Sequence, residues 1–98
     1  MTLFDNVDDK TLSIYKKCGF NWEEPKYINI FRWLWNEKHY HPSISSFTGD
    51  VKNKAFCIVD RPVIGNPSYK FVADSYDDAI IQIVHYIAEN YKLFFNVK

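Results

Sequence analysis

The longest consistent hydrophobic pattern of the chain covers residues 75–91. Apolar residues recur there at the i, i+3, i+4, i+7 spacing of an amphipathic helix. Ser75 precedes Asp78 by three residues, the spacing of a helix N-cap and its capping-box partner. We expect the rest of the chain to cover the apolar stripe, which comprises Tyr76, Ala79, Ile80, Ile83, Val84, Ile87 and Tyr91. The opposite, polar face would carry Asp77, Gln82, His85 and Glu89.

A shorter helix is predicted to begin at Asp8 or Asp9, near the start of the chain. Acidic residues at the positive end of the helix dipole, and lysines near its negative end, favour this interpretation. Gly19 fits the left-handed position just after the helix, and Phe20 fits the hydrophobic position that follows. The pattern therefore predicts a Schellman-type ending.

A second helix is predicted over residues 27–39, where two apolar stripes lie side by side. One stripe includes Leu34 and Trp35, and the neighbouring stripe includes Ile30 and Trp33. Because the two tryptophans lie on adjoining faces, one helix cannot easily bury both against a single surface. We expect one of them to be exposed or to cover a sheet edge.

Between residues 43 and 73 the pattern changes to an extended one. Strands are predicted at residues 43–48, 54–60 and 69–73, with a turn at 48–50 and a proline-containing loop at 61–68. The strand at 54–60 is apolar on both faces, which favours a central position. The tail at 93–97 is also apolar, and it could add a strand or pair with another subunit.

This order predicts the fold class directly. The elements follow as α-α-β-β-β-α, which is typical of an α+β two-layer sandwich with helices on one face of a three-stranded antiparallel sheet. The chain has 98 residues and no internal repeat, so we expect a single domain, with residues 1–8 flexible.

Charge and cysteine content narrow the function classes. The formal net charge is zero, which argues against binding that depends on phosphate contacts. No signal peptide opens the chain, and Cys18 and Cys57 lie among apolar residues, so we expect buried, reduced thiols in a cytoplasmic protein. No apolar run approaches the roughly 20 residues of a membrane helix, so no membrane partner is expected.

Aromatic residues are unusually frequent, with three Trp, seven Tyr and eight Phe. Large rings could fill a small core, but a domain of this size cannot bury them all. Exposed Trp and Tyr beside an arginine are the usual composition of a protein-binding hot spot. The candidate binding residues are Arg32, Trp33, Trp35, Tyr40 and Arg61.

Candidate catalytic and metal sites are weaker. His39 and His41 could share one face of an extended segment, but no CxxC or HxxxH spacing completes a zinc site. A cysteine nucleophile would need a neighbouring histidine, and burial would raise the pKa of the thiol. Asp77 and Asp78 are better explained as charges at a helix start. We therefore expect no metal, no cofactor and no catalytic residue.

The element order resembles that of the double-stranded RNA-binding domain, in which a helix precedes three strands and a long helix. The resemblance implies phosphate-binding lysines at the start of the last helix. Ser75, Tyr76, Asp77 and Asp78 occupy those positions here, and two carboxylates would repel a phosphate backbone. We expect nucleic acid not to bind in this way.

A second resemblance is carried by KCGF at residues 17–20, FRWLWNEK at 31–38, an extended segment after His41 and DSYDDA at 74–79. With these motifs, residues 11–92 are similar to small phage and prophage proteins of Bacteroidetes-type bacteria. That group has no assigned activity, so the resemblance implies no catalytic residue. It implies an accessory protein that binds a host or virion component.

The sequence thus predicts a non-enzymatic domain that binds a protein partner, or a second copy of itself as a homodimer, through an aromatic surface. Two alternatives stay open. A nucleic-acid-associated module would need Lys52, Lys54, Lys70 and Arg61 on one sheet face. A small metal-dependent or cysteine hydrolase would need a pocket that joins a histidine to a carboxylate or a cysteine.

Overall fold

The computed structural model describes residues 2–38, 40–46, 54–59 and 69–95. In chain order the elements are α1 (Asp9–Lys17), α2 (Tyr27–Glu37), β1 (Ser43–Ser46), β2 (Ala55–Val59), β3 (Tyr69–Ala73), α3 (Tyr76–Glu89) and α4 (Tyr91–Phe94). The predicted α+β class and the order α-α-β-β-β-α are confirmed, and α4 is an additional short helix. The predicted turn at 48–50 and loop at 61–68 lie outside the described residues.

The sheet is antiparallel, with the order β1-β2-β3. The central position of β2 confirms the prediction from its two apolar faces. Cys57 lies opposite Ile44 on one side and opposite Phe71 on the other. Ala55, Cys57 and Val59 are buried, whereas Phe56 and Ile58 on the alternate face are half-buried. The helices therefore cover one face of the sheet, as predicted.

Helix α3 lies at the centre of the fold. It contacts β2 and β3 on one side and α1 and α2 on the other. Its buried residues are Ala79, Ile80, Ile81, Ile83, Val84, Ile87 and Ala88. The predicted single stripe was therefore too narrow, because a helix packed between two layers buries apolar residues on more than one side.

The helix ends agree with the sequence signals. The Ser75 hydroxyl oxygen accepts a hydrogen bond from the Asp78 N–H at 3.0 Å, as expected for an N-cap. At the end of α1, Gly19 has a φ of 107° and its N–H donates to the Lys16 carbonyl at 3.1 Å. The Phe20 N–H donates to the Tyr15 carbonyl at 2.9 Å. These two bonds complete the predicted Schellman motif.

The N-terminal segment caps α2, which has no capping side chain at its own N-cap residue, Lys26. The Tyr27 N–H donates to the Asp5 carbonyl at 3.2 Å, and the Ile28 N–H donates to the Leu3 carbonyl at 3.0 Å. Leu3 is buried, as is Val7 further along the segment. Backbone carbonyls thus satisfy two of the N–H groups that a helix start leaves unpaired.

The C-terminal segment packs on the helix layer. The prediction of an added strand is wrong for residues 93 and 94, which are helical. The ring of Phe94 packs edge-on against Tyr40, with 5.2 Å between centroids, and the ring of Phe95 lies 6.0 Å from Trp33. Residues 96–98 lie outside the described residues. The aromatic side chains of α4 and the residue after it therefore contribute to the core of their own chain.

Candidate functional site

A groove between α2 and the start of α3 brings aromatic, aliphatic and cationic side chains together. We call it the α2–α3 groove; its lining residues are Ile28, Phe31, Arg32, Trp35, Asn36, Tyr76 and Ile80, and its volume is about 280 Å³. Phe31 and Ile80 are buried and form an apolar floor, whereas Arg32, Trp35 and Tyr76 are exposed. The groove is therefore apolar at its base and amphipathic at its rim, the usual anatomy of a protein-binding surface.

Trp35 is the largest exposed side chain in this groove, with 45% of its surface accessible. Its ring centroid lies 6.4 Å from that of Phe31 and 4.1 Å from that of His41. The His41 Nε2 atom is 3.2 Å from the Trp35 carbonyl oxygen, so an N–H at this position donates to it. Neighbouring rings on two sides restrain the indole, which lowers the conformational entropy that binding would remove.

Arg32 supplies the positive charge of the groove. Its side chain is exposed, and among the described residues no carboxylate lies within ion-pair distance of it. Its neighbours in the lining are aromatic, aliphatic or amide side chains. A guanidinium beside an aromatic ring can donate hydrogen bonds to a partner's carboxylate or stack on a planar group from a partner.

Tyr76 completes the groove from the first turn of α3, and sequence reasoning did not place it there. Its position in the apolar stripe predicted burial, but it is 57% exposed. The reason is its place immediately after the N-cap, Ser75, where the helix has only begun. The two elements that form the groove are distant in sequence, and no local pattern would have joined them.

Two predicted site residues, Trp33 and Tyr40, lie outside the α2–α3 groove. Trp33 is 2% exposed and packs edge-on against Tyr15 and Phe20, with centroid separations of 6.0 and 5.6 Å. Trp33 is therefore a core residue, and its prediction as part of the binding surface is wrong. Tyr40 is half-buried against Phe94, away from the groove lining. Arg61 lies outside the described residues, as does His39 of the histidine pair considered for a metal site.

The core position of Trp33 is reinforced by a cation. The Lys38 ammonium lies 5.3 Å from the centroid of the Trp33 ring and 5.8 Å from that of Phe95. Both distances are within the range of a cation–π interaction. The two tryptophans of α2 thus differ in role, since one is held in the core and the other is exposed on the surface.

A second cluster of polar side chains joins the three longest helices, and the sequence did not predict it. The Tyr27 hydroxyl lies 2.6 Å from His85 Nε2, and His85 Nδ1 lies 3.5 Å from the Thr11 hydroxyl oxygen. Thr11 in turn donates to the Asp8 carboxylate at 2.7 Å. We call these four side chains the helix-junction network. His85 was assigned to the polar face of α3, and only the packing of α1 and α2 against that face brings it to Tyr27.

The helix-junction network has the composition of a proton relay. Tyr27 and Thr11 are buried in it, whereas His85 is half-buried and Asp8 is exposed. Tyr27 is 1% exposed, and burial raises the pKa of its phenol. The Asp8 carboxylate has a lowered pKa, chiefly because the Thr11 hydroxyl donates to it. None of the four side chains lines the α2–α3 groove, so a substrate in the groove would not reach this tyrosine. The geometry supports a role in joining helices.

The cysteines and potential metal ligands do not form a reactive centre within the described residues. Cys18 and Cys57 are free and buried, and burial raises the pKa of both thiols. A raised pKa reduces the thiolate fraction that nucleophilic chemistry requires. In the same parts of the chain, no group of three or more His, Cys, Asp and Glu side chains could hold a metal ion.

Two other surface depressions are formed by single segments of the chain. One, of about 510 Å³, is lined by residues of α1 alone, and the other, of about 380 Å³, by residues 89–93. Neither brings side chains from distant elements together, in contrast to the α2–α3 groove. The groove is therefore the better candidate site.

No helix in the described residues is both long enough and apolar enough to cross a membrane. Comparison of the whole chain with protein-family models, with curated proteins and with solved structures found no match to any of them.

Proposed function

We propose that this chain is a non-enzymatic protein-binding domain that recognises its partner through the α2–α3 groove. The observation that supports this proposal is the exposure of Trp35, Tyr76 and Arg32 around an apolar floor, with no ion-pair partner for Arg32 among the described residues. Trp, Tyr and Arg are the residues enriched at binding hot spots, which combine a dry centre with a polar rim. In the setting implied by the resemblance to phage and prophage proteins, the partner is a host or virion component or, in a homodimer, a second copy of this chain.

The free energy of burial favours this use of Trp35. An indole that is 45% exposed leaves about 100 Å² in water, so folding forgoes roughly 2–3 kcal/mol of burial at this one residue. A partner that covers the ring recovers this free energy. Because neighbouring rings already restrain the side chain, little conformational entropy opposes the gain.

The nucleic-acid alternative has less support from the described charges. Lys54 donates to the Asp74 carboxylate, and this contact lowers the pKa of Asp74. The first turn of α3 adds two further carboxylates. Lys70 is exposed on the outer face of the sheet, which the helices do not cover. Its strand neighbour Phe71 lies on the opposite, helix-facing side. Lys52 and Arg61, the other two residues of the predicted basic face, lie outside the described residues.

Affinity purification from the native host, followed by quantitative mass spectrometry, tests the proposal. The baits are the wild type, Trp35→Ala and Arg32→Ala. Matched controls are Val72→Ala, which truncates an exposed apolar residue on the sheet, and Lys10→Ala, which removes an exposed cation of α1. Each bait is first shown to keep the wild-type melting temperature.

We expect the wild type and both controls to recover one stoichiometric protein. Recovery with Trp35→Ala should fall at least about tenfold, because hot-spot truncations cost 2 kcal/mol or more. Equal recovery with all five baits would place the contact outside the groove and contradict the proposal. Recovery of nucleic acid in a strongly salt-dependent manner would support the alternative.

A further inference from the structure

Phe4 is the most exposed large apolar side chain in the described residues, with 72% of its surface accessible. Hydrogen bonds hold the backbone on both sides of it. The Phe4 N–H donates to the Thr2 hydroxyl at 3.2 Å, and the Thr2 N–H donates to the Asp5 carboxylate at 2.7 Å. The Asp5 N–H also donates to the Thr2 carbonyl at 3.2 Å. We call residues 2–5 the N-terminal turn, which holds an aromatic ring out into solvent on an ordered backbone.

The N-terminal turn adjoins the α2–α3 groove. The Leu3 carbonyl accepts the Ile28 N–H at 3.0 Å, and Ile28 itself lines the groove. Phe4 is the next residue after Leu3, yet it is absent from the groove lining and stays in water. The backbone that carries the exposed Phe4 ring is therefore adjacent to an apolar recess.

The charges beside these two features are complementary. Asp5, next to Phe4, is exposed and anionic, whereas Arg32 in the groove is exposed and has no ion-pair partner among the described residues. The formal net charge of the chain is zero, so no long-range repulsion opposes the approach of two copies. Both features lie on the same chain, and a two-fold axis would allow each to meet its complement.

We infer that the occupant of the α2–α3 groove is the N-terminal turn of a second copy of this chain. In this isologous dimer, Phe4 of each copy enters the groove of the other beside Trp35, and Asp5 pairs with Arg32 across the interface. A recess of about 280 Å³ suits one or two side chains, being smaller than most small-molecule sites. This inference rests on the proposed function, because it names the partner for the same groove.

Sedimentation equilibrium of the purified protein tests the inference. The concentration is varied from about 10 µM to about 1 mM, the range suited to an interface at the small end of specific complexes. The samples are the wild type, Phe4→Ala, Asp5→Arg, Arg32→Glu and an equimolar mixture of the last two variants. Phe4→Ala is decisive on its own, because the hydrogen bonds of the N-terminal turn use only the backbone of Phe4.

We expect the wild type to dimerise, and each single variant to dissociate at least about tenfold more readily. The mixture of Asp5→Arg with Arg32→Glu should recover association, since both cross-interface pairs then have opposite charges. A wild type that stays monomeric across the range would overturn the inference, and so would a dimer that Phe4→Ala does not weaken. A monomeric wild type whose capture of another protein still depends on Trp35 would leave the proposed function standing.

Discussion

The Tyr27 hydroxyl and the His85 Nε2 atom are 2.6 Å apart, and this partly buried contact joins α2 to α3. With the Tyr27 proton donated to Nε2, the Nδ1–H of His85 is directed to the Thr11 hydroxyl oxygen. Thr11 then donates to the Asp8 carboxylate, which also caps α1. Each group donates once to the next, so a single chain of hydrogen bonds connects three helices.

Removing the Tyr27 hydroxyl should destabilise the fold. Tyr27→Phe leaves the His85 acceptor without its donor, and we expect a loss of about 1 kcal/mol in the free energy of unfolding. Urea denaturation measures this loss, and Tyr76→Phe is the control because the ring of Tyr76 is exposed. A double-mutant cycle with His85→Ala should give a coupling energy above about 0.5 kcal/mol. Purely additive losses would show that the two side chains do not stabilise each other.

The Asp8 carboxylate should make stability depend on acid pH. Its pKa in the folded protein is lowered from the ordinary value of 3.8, first by the hydrogen bond from Thr11. Its contribution is therefore complete above that ordinary value and is lost as the pH falls through the lower, folded pKa. At neutral pH, Asp8→Ala should cost about 1 kcal/mol through the lost N-cap.

Thermal melts of the wild type and Asp8→Ala between neutral pH and the acid range measure this dependence. The difference in melting temperature should narrow as the pH falls below the ordinary pKa of an aspartate. Asp9→Ala, which changes the neighbouring first-turn carboxylate, is the matched control for general charge effects. A difference that stays constant through the acid range would contradict a role for the ionised cap.

Gly19 should tolerate substitution poorly because of its backbone conformation. Its φ of 107° belongs to a region that residues with a side chain rarely adopt. Space is not the obstacle, since a Cβ atom there would meet only Lys38 Nζ at 3.9 Å. We expect Gly19→Ala to cost about 1 kcal/mol or more in unfolding free energy, and Gly19→Asn to cost less. If denaturant titrations showed the same negligible loss of unfolding free energy for both variants, the Schellman ending would contribute little to stability.

Truncation of the two tryptophans of α2 should change the free energy of unfolding by very different amounts. Trp33 is buried among Tyr15, Phe20 and Phe95, so Trp33→Ala should cost roughly 3–5 kcal/mol, a large fraction of the stability of a domain of this size. Trp35→Ala should change the free energy of unfolding by less than about 1 kcal/mol. Chemical denaturation followed by far-UV circular dichroism measures both. A large loss for Trp35→Ala would mean that this ring serves the fold.

Several parts of this fold could be predicted because local residue patterns determine them. Ser75 and Asp78 marked the start of α3, and Gly19 followed by Phe20 marked the end of α1. Apolar residues on both faces of β2 correctly indicated a central strand. In each case the physical cause lies within a few residues, either as a cap, a turn conformation or the period of burial.

The candidate site could be predicted only in part, because it joins distant segments. Exposure of one α2 tryptophan followed from its two stripes, but the sequence did not decide between Trp33 and Trp35. Phe95, which is distant in the sequence, packs on Trp33, and this contact has no local sequence signal. Tyr76 reached the groove, and His85 reached Tyr27, only through the packing of α2 on α3.

Hydroxyl-radical footprinting measures directly which aromatic rings binding covers. The wild-type protein is oxidised once as the free chain at low concentration and once in complex with the partner that it binds. The account predicts that oxidation of Trp35 and Tyr76 falls on binding, while the buried Trp33 is unreactive in both states. Unchanged oxidation of Trp35 in the complex would contradict the assignment of the α2–α3 groove as the docking surface.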